Sequence, residues 1–400
     1  MDPRTDPTVP PAGAPATVPC PGEPAGALPA APGSSSAGEV YEHLVRWGPH
    51  ARTDLARLLG LSGPTLTRLT RELLEAGLLR ELPPLPQLKG RPQQPLDVDE
   101  DHARFIGIKI TAQSVYAAVV TVRGVALEEL STDLASADPA SVVEETVALC
   151  APLVAAHPRV AGVGVGIGAQ VGADGAVAAS AMLGWYEPFP LRAVLEERLG
   201  LPVSVSNDFH ALLEGLSWFG VGRRHRSFAV ITIGAGVGVG SVVETEVHRG
   251  RLHLAGLTGS LPTITRDGRG VPLRDVASTA HVLEAARARG AIAPGQGLDV
   301  LVDAARAGDE AALEVARDVA HAVAVAGAGL VGVLDPEALI LGGEAVDLLR
   351  LGTDFPGALR ARLTRAQRDV VVRLLPAEFD DWARGAAVIA VRRFIGGEGA

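Results

Sequence analysis

Cysteine is nearly absent from this chain: Cys20 and Cys150 are the only two in 400 residues. They lie too far apart for a Cys-x-x-Cys metal motif and are too few for a disulfide framework, so a reduced, cytoplasmic compartment is expected. Lysine is scarcer than any functional argument would demand, with Lys89 and Lys109 set against 34 arginines (36 basic residues less two). A bias of that kind reads as codon composition rather than phosphate recognition. Long apolar runs are missing too: the most apolar window, 228–243, is broken by glycines at turn-like intervals, and no basic segment followed by an apolar core opens the chain. Neither a membrane span nor a signal peptide is expected.

A length of 400 residues exceeds what one hydrophobic core usually supports, so two or three domains are expected. The formal charge of −10 divides unevenly: −2 over residues 1–38, +2 over 39–94 and −10 over 95–400, which sum to the total. Only the middle segment is compatible with approaching a polyanion.

Residues 1–38 are dominated by Pro, Ala, Gly and Ser with few large apolar side chains, the composition of a disordered tail. Residues 39–97 are different. Val40, Leu44 and Val45 recur at helical spacing, as do Leu55, Ala56, Leu58 and Leu59 in a second helix that Gly60 stops. Ser62 is a natural N-cap, Pro64 is tolerated in a first turn, and Leu66, Leu69, Leu73 and Leu74 give the next helix its apolar stripe. Gly77 ends it, and Leu78–Leu79 and Leu96–Val98 can pair as strands around a Pro-rich tip carrying Lys89, Gly90 and Arg91. Helix, short turn, helix and basic wing spell a winged helix-turn-helix, with a plain helical hairpin as the bland alternative.

In that motif the second helix enters the major groove with its N-terminal residues facing base edges. Ser62, Gly63, Thr65, Thr67, Arg68 and Arg71 supply small, polar or basic side chains opposite the leucines, and Arg52, Lys89 and Arg91 extend the candidate DNA contact. Arg68 or Arg71 could read guanine with a bidentate pair, while Ser62 and Thr65 suit phosphate oxygens.

From residue 98 to 400 short Val/Ile/Gly strands alternate with Ala/Leu-rich helices, an α/β pattern. The strand–turn–strand stretch from Phe105 is echoed 123 residues later from Phe228, which predicts two similar lobes with a ligand cleft between them. Lobe one is expected over about 98–206 plus the C-terminal helix, and lobe two over about 207–384, with a hinge expected between the DNA reader and this two-lobed sensor.

Taken together, 52–68 with its Gly90-Arg91-Pro92 wing, Leu183-Gly184-Trp185, 201–208, the glycine turn 233–240 and the Leu334-to-Gly343 stretch resemble the ROK family of repressors, open reading frames and sugar kinases, over about residues 39–400. The resemblance implies an N-terminal winged helix-turn-helix followed by a two-lobed actin/hexokinase-like domain. It also implies a sequence-specific transcriptional regulator, a repressor foremost, bound as a homodimer or homotetramer to a palindromic double-stranded DNA operator.

The same resemblance marks where the chain departs from kinase members. Their Asp-x-Gly-Gly-Thr turn corresponds to Lys109-Ile-Thr-Ala-Gln113, so a cation replaces the acid and both glycines are gone. Asn207 and Asp208 match the sugar-contacting pair, whereas Met182 replaces an asparagine, Leu257 a carboxylate and Ser260 a histidine. These five are the candidate effector residues, in a pocket made less polar, for a sugar or a less polar analogue. The zinc loop has no cysteine here and no metal or cofactor is expected. A non-catalytic regulator follows; a hexose kinase using ATP is the alternative, and a constitutive DNA-binding or scaffolding protein the third reading.

Overall fold

The computed structural model describes residues 29–33, 35–84, 94–257, 259–352, 354–375 and 379–396. Helix α1 (Ser35–Trp47) buries Val40, Tyr41, Leu44 and Val45 along one face. It starts before the expected end of the tail at residue 38, because Ala37 is buried and Gly38 backs onto the Ile395 carbonyl. A short β1 (His50–Ala51) leads into α2 (Arg52–Leu58), which buries Leu55 but leaves Leu58, expected in its apolar face, exposed. Ser62 then caps α3 (Gly63–Glu75) by accepting from the Thr65 N–H, and Leu66, Leu69 and Leu73 bury its inner face. Strands β2 (Leu79–Glu81) and β3 (Pro95–Val98) complete a sheet ordered β1-β3-β2. Residues 85–93 of the wing lie outside the described residues, and Lys89 and Arg91 with them.

The echo in the sequence becomes a repeated sheet. In lobe one, β4 (Arg104–Ile110), β5 (Ser114–Thr121) and β6 (Ala126–Asp133) form an antiparallel meander. After α4 (Pro139–Ala156), β7 (Val160–Ile167) joins β4 in parallel. A small ribbon, β8 (Gln170–Val171) and β9 (Val177–Ala179), and α5 (Leu191–Leu199) precede β10 (Val203–Asn207), parallel to β7. The order is β10-β7-β4-β5-β6.

Helix α6 (Asp208–Trp218) crosses to lobe two. There β11 (Phe228–Ile233), β12 (Val237–Val243) and β13 (Glu246–Val247) repeat the meander. A ribbon of β14 (Pro262–Ile264) and β15 (Gly270–Pro272) follows, with helices α7 (Arg274–Ala277), α8 (Thr279–Ala288), α9 (Leu298–Arg306) and α10 (Glu310–Leu334). Strand β16 (Ala338–Gly342), α11 (Phe355–Arg360) and β17 (Val371–Leu374) complete an order β13-β12-β11-β16-β17, the same connectivity as lobe one. The long apolar helices α4 and α10 would be long enough to cross a bilayer, but each contributes buried residues to its own lobe's core.

The final helix, α12 (Phe379–Gly396), returns to lobe one and lies across β4 and β7. Glycine is required there: a Cβ on Gly107 would collide with the Ala383 carbonyl, and one on Gly164 with that of Ala386.

The expected hinge between DNA reader and sensor is not present. One continuous core joins Tyr41, Leu44 and Leu66 of the winged unit to Phe105 and Val120 of lobe one and to Val391 and Ile395 of α12. Each large apolar side chain so buried is worth roughly 1.5–3 kcal/mol, so prising the junction apart would cost several times thermal energy. The winged sheet runs to Val98, where it pairs with Leu79, and only residues 99–103 separate it from β4.

Candidate functional site

On the winged unit, α3 presents Ser62, Gly63, Pro64, Thr67, Arg68 and Arg71 to solvent. Ser62 Oγ lies 2.8 Å from Thr65 Oγ1, so the cap also fixes the Thr65 rotamer, and Thr67 Oγ1 donates to the Gly63 carbonyl at 2.9 Å. Arg68 pairs with Glu72 at 2.7 Å and Arg71 with Glu75 at 3.8 Å, one turn along in each case. Exposed pairs of this kind contribute about 1 kcal/mol or less, so exchanging the glutamate for a phosphate or a base edge is cheap. Arg52 is placed differently from the rest. Its guanidinium donates to Glu81 at 2.7 Å and to Thr70 Oγ1 at 3.4 Å, tying α2 to β2 and α3 while the side chain stays partly exposed.

Several cationic contacts clamp this unit to the lobe beneath it. Arg123 donates to the Leu44 carbonyl at 3.0 Å, near the C-terminal end of α1 where a cation is favoured, and pairs with Asp97 and with Glu100 at 3.0 Å. Arg46 stacks between Trp47, at 5.7 Å, and Trp218, at 5.3 Å. Within the lobes themselves, Glu214 of α6 is fully buried and accepts from Arg392 of α12 and from Arg249, each at 2.8 Å.

Between the two sheets lies a cleft of about 620 Å³. Lobe one supplies Lys109 from β4, Gln113 from the turn after it, and Met182; lobe two supplies the Gly234–Gly238 turn, Leu257 and Glu344. Trp382, from the first turn of α12, lines it as well, a residue that no local sequence pattern singles out.

The predicted effector residues divide. Asn207, Asp208, Met182 and Leu257 all line the cleft, whereas Ser260 is not among its lining residues and accepts from the Arg274 guanidinium instead. The backbone bond from Arg274 N–H to the Gly259 carbonyl, at 2.9 Å, holds that segment against α7. Asn207 is structural as well: its side-chain oxygen accepts from the Phe209 N–H at 2.8 Å, capping α6, and its amide donates to the Ala169 carbonyl at 2.9 Å. Asp208 forms an ion pair with Lys109, whose ammonium also sits 5.0 Å from the Trp382 ring centroid.

His210, one turn along α6, lies against Ala255 with Nε2 2.7 Å from its carbonyl, and burial lowers its pKa. The Cys150 thiol is pushed up to about 12 by burial in the lobe-one core, so it is an inert apolar side chain rather than a nucleophile. Among the described residues no three His, Cys, Asp or Glu side chains converge as a metal site.

Residues 105–393 match the sequence profile of the ROK family. The DNA-binding transcriptional repressor Mlc of Escherichia coli (strain K12) is 26% identical over 342 residues, spanning 79% of this chain and 83% of that protein. Among solved structures, a ROK family transcriptional regulator homologous to the E. coli Mlc protein superposes with a TM-score of 0.74 over 90% of this chain and 96% of its own, at 22% identity. A ROK family glucokinase from Streptomyces griseus, solved with glucose and AMPPNP, superposes with a TM-score of 0.61 over 72% of this chain and 99% of its own, at 25% identity.

Proposed function

This chain belongs to the ROK family, and from that premise we propose that it is a DNA-binding transcriptional repressor whose kinase-like lobes sense a small molecule and perform no phosphoryl transfer. The observation that carries the reading is the exposed polar face of a capped α3 on a winged unit, with Arg68 and Arg71 held only by surface ion pairs. Relatives that are repressors support it.

The non-catalytic part rests on Lys109. A carboxylate that is to take a proton from a sugar hydroxyl must face that hydroxyl. Asp208 faces an ammonium instead, at the place where the family's kinases present an acid, and the open Gly234–Gly238 turn has no glycine-rich partner across the cleft.

The protein acts in the cytoplasm as a homodimer or homotetramer, and two-fold symmetry would match two half-sites of a palindrome about one helical turn apart or a multiple of it. The effector, a small molecule, occupies the cleft. With no hinge to swing, the route from cleft to reader is α12, whose Trp382 lines the cavity and whose Ile395 packs in the core shared with α1. Thirteen residues of helix span about 20 Å, so a shift at one end is carried to the other by a rigid element. Ligand must bind the two arrangements unequally for this to work.

Fluorescence anisotropy on fragments of the protein's own upstream region, at two salt concentrations and against unrelated competitor DNA, tests the reading. Binding that survives competitor is expected. Binding erased by competitor on every fragment, together with hexose phosphorylation in the presence of ATP, would overturn it.

A further inference from the structure

Several polar side chains of the cleft are taken up by nearby backbone groups. Thr111 Oγ1 donates to the Ser114 carbonyl at 2.9 Å and accepts from the Ser114 N–H at 2.9 Å. Ser180 Oγ donates to the Gly168 carbonyl at 2.7 Å and accepts from the Leu183 N–H at 3.2 Å. Thr232 Oγ1 accepts from the Gly238 N–H at 3.2 Å, and Asn207 is consumed by its cap and its bond to Ala169. Lys109 and Asp208 cancel, which leaves Glu344 as the one further formal charge among the described lining residues.

The rest of the lining is chiefly apolar, Met182, Phe209, Leu254, Leu257 and Trp382, with Gln113, Gln170 and Tyr116 as its uncharged polar side chains. A hexose has more hydroxyls than Gln113, Gln170 and Tyr116 could partner, and each hydroxyl left without one weakens binding roughly five- to a hundredfold. A phosphate would meet no uncompensated cation and would approach Glu344. A cavity of about 620 Å³ also exceeds what one pyranose ring fills.

We propose that the cleft takes an uncharged, predominantly apolar molecule with few hydroxyl groups, of the size of a fused-ring aromatic, and excludes free hexoses and sugar phosphates. The proposal rests on reading the cleft as the sensor site and names the chemical class sensed there. Met182 and Leu257 set that preference, because both touch the space where the ligand would lie.

The test is isothermal titration of the full-length protein with 7-methoxycoumarin, 2-naphthalenemethanol, D-glucose and glucose 6-phosphate, with operator affinity measured alongside. One of the two aromatic probes is expected to bind at one site per chain, at least a hundredfold tighter than either sugar. Leu257→Asp and, at a more exposed position, Met182→Asp should each weaken it at least tenfold. Tighter binding of glucose or its phosphate, no binding of either aromatic, or aromatic binding unaffected in both variants would overturn the assignment. Aromatic binding that leaves operator affinity unmoved would sink the sensor reading but keep the ligand class. A sugar that releases operator would do the reverse.

Discussion

Lys109 and Asp208 meet in the floor of the interlobe cleft as a nearly buried ion pair, with the Trp382 ring against the ammonium. Removing one partner strands a charge in a poorly hydrated place, which costs about 3–5 kcal/mol, whereas removing both is far milder. Lys109→Met and Asp208→Leu should each be strongly destabilising in urea denaturation, and the double variant should recover most of the loss. Additive losses in the double variant would show that the two charges do not depend on each other.

Arg68 and Arg71 provide the test of the DNA interface. Arg68→Ala and Arg71→Ala should each weaken operator binding by about 1–3 kcal/mol if the side chain reads a base. A phosphate contact would instead lower affinity on all sequences and reduce the salt slope by about one. Arg52→Ala should act differently, lowering thermal stability through its lost bonds to Glu81 and Thr70. Anisotropy and thermal melts on the three variants separate these outcomes.

Glu214 is fully buried between Arg392 and Arg249. Glu214→Gln keeps the shape but leaves two guanidiniums facing a neutral amide, so a loss of about 3 kcal/mol or more is expected in equilibrium unfolding. Because α12 is one of the helices released, operator affinity should fall as well. A variant as stable as the parent would mean that the network is dispensable.

His210 sets a pH dependence. Burial holds its folded pKa below the ordinary value of 6.5, and His43 is shifted the same way, burial again being the largest cause, followed by His50 and Arg46. The unfolded chain therefore takes up protons first as the pH drops. Stability is fully present above about pH 6.5 and is lost as pH falls from there toward the depressed folded values. Thermal midpoints should decline across that window, and His210→Gln should flatten the decline without abolishing it, since His43 remains. An unchanged slope would remove His210 from the account.

Much of this protein was legible in the sequence alone, because local rules decide it. The Ser62 cap, the Gly60 turn and the 3.6-residue spacing of Leu66, Leu69 and Leu73 specify helix α3 from local sequence. The echo between the strands from Phe105 and from Phe228 likewise announced two sheets of like connectivity, and the lysine at position 109 was visible as a departure from kinase chemistry. Tertiary structure decided what depends on residues distant along the chain. It paired Lys109 with Asp208 and brought in Trp382, turned Ser260 out of the cleft, diverted Arg52 to Glu81, and replaced the expected hinge with a shared core. No spacing rule could have shown these, because an apolar face written in the sequence says that it will be covered without saying by which other face.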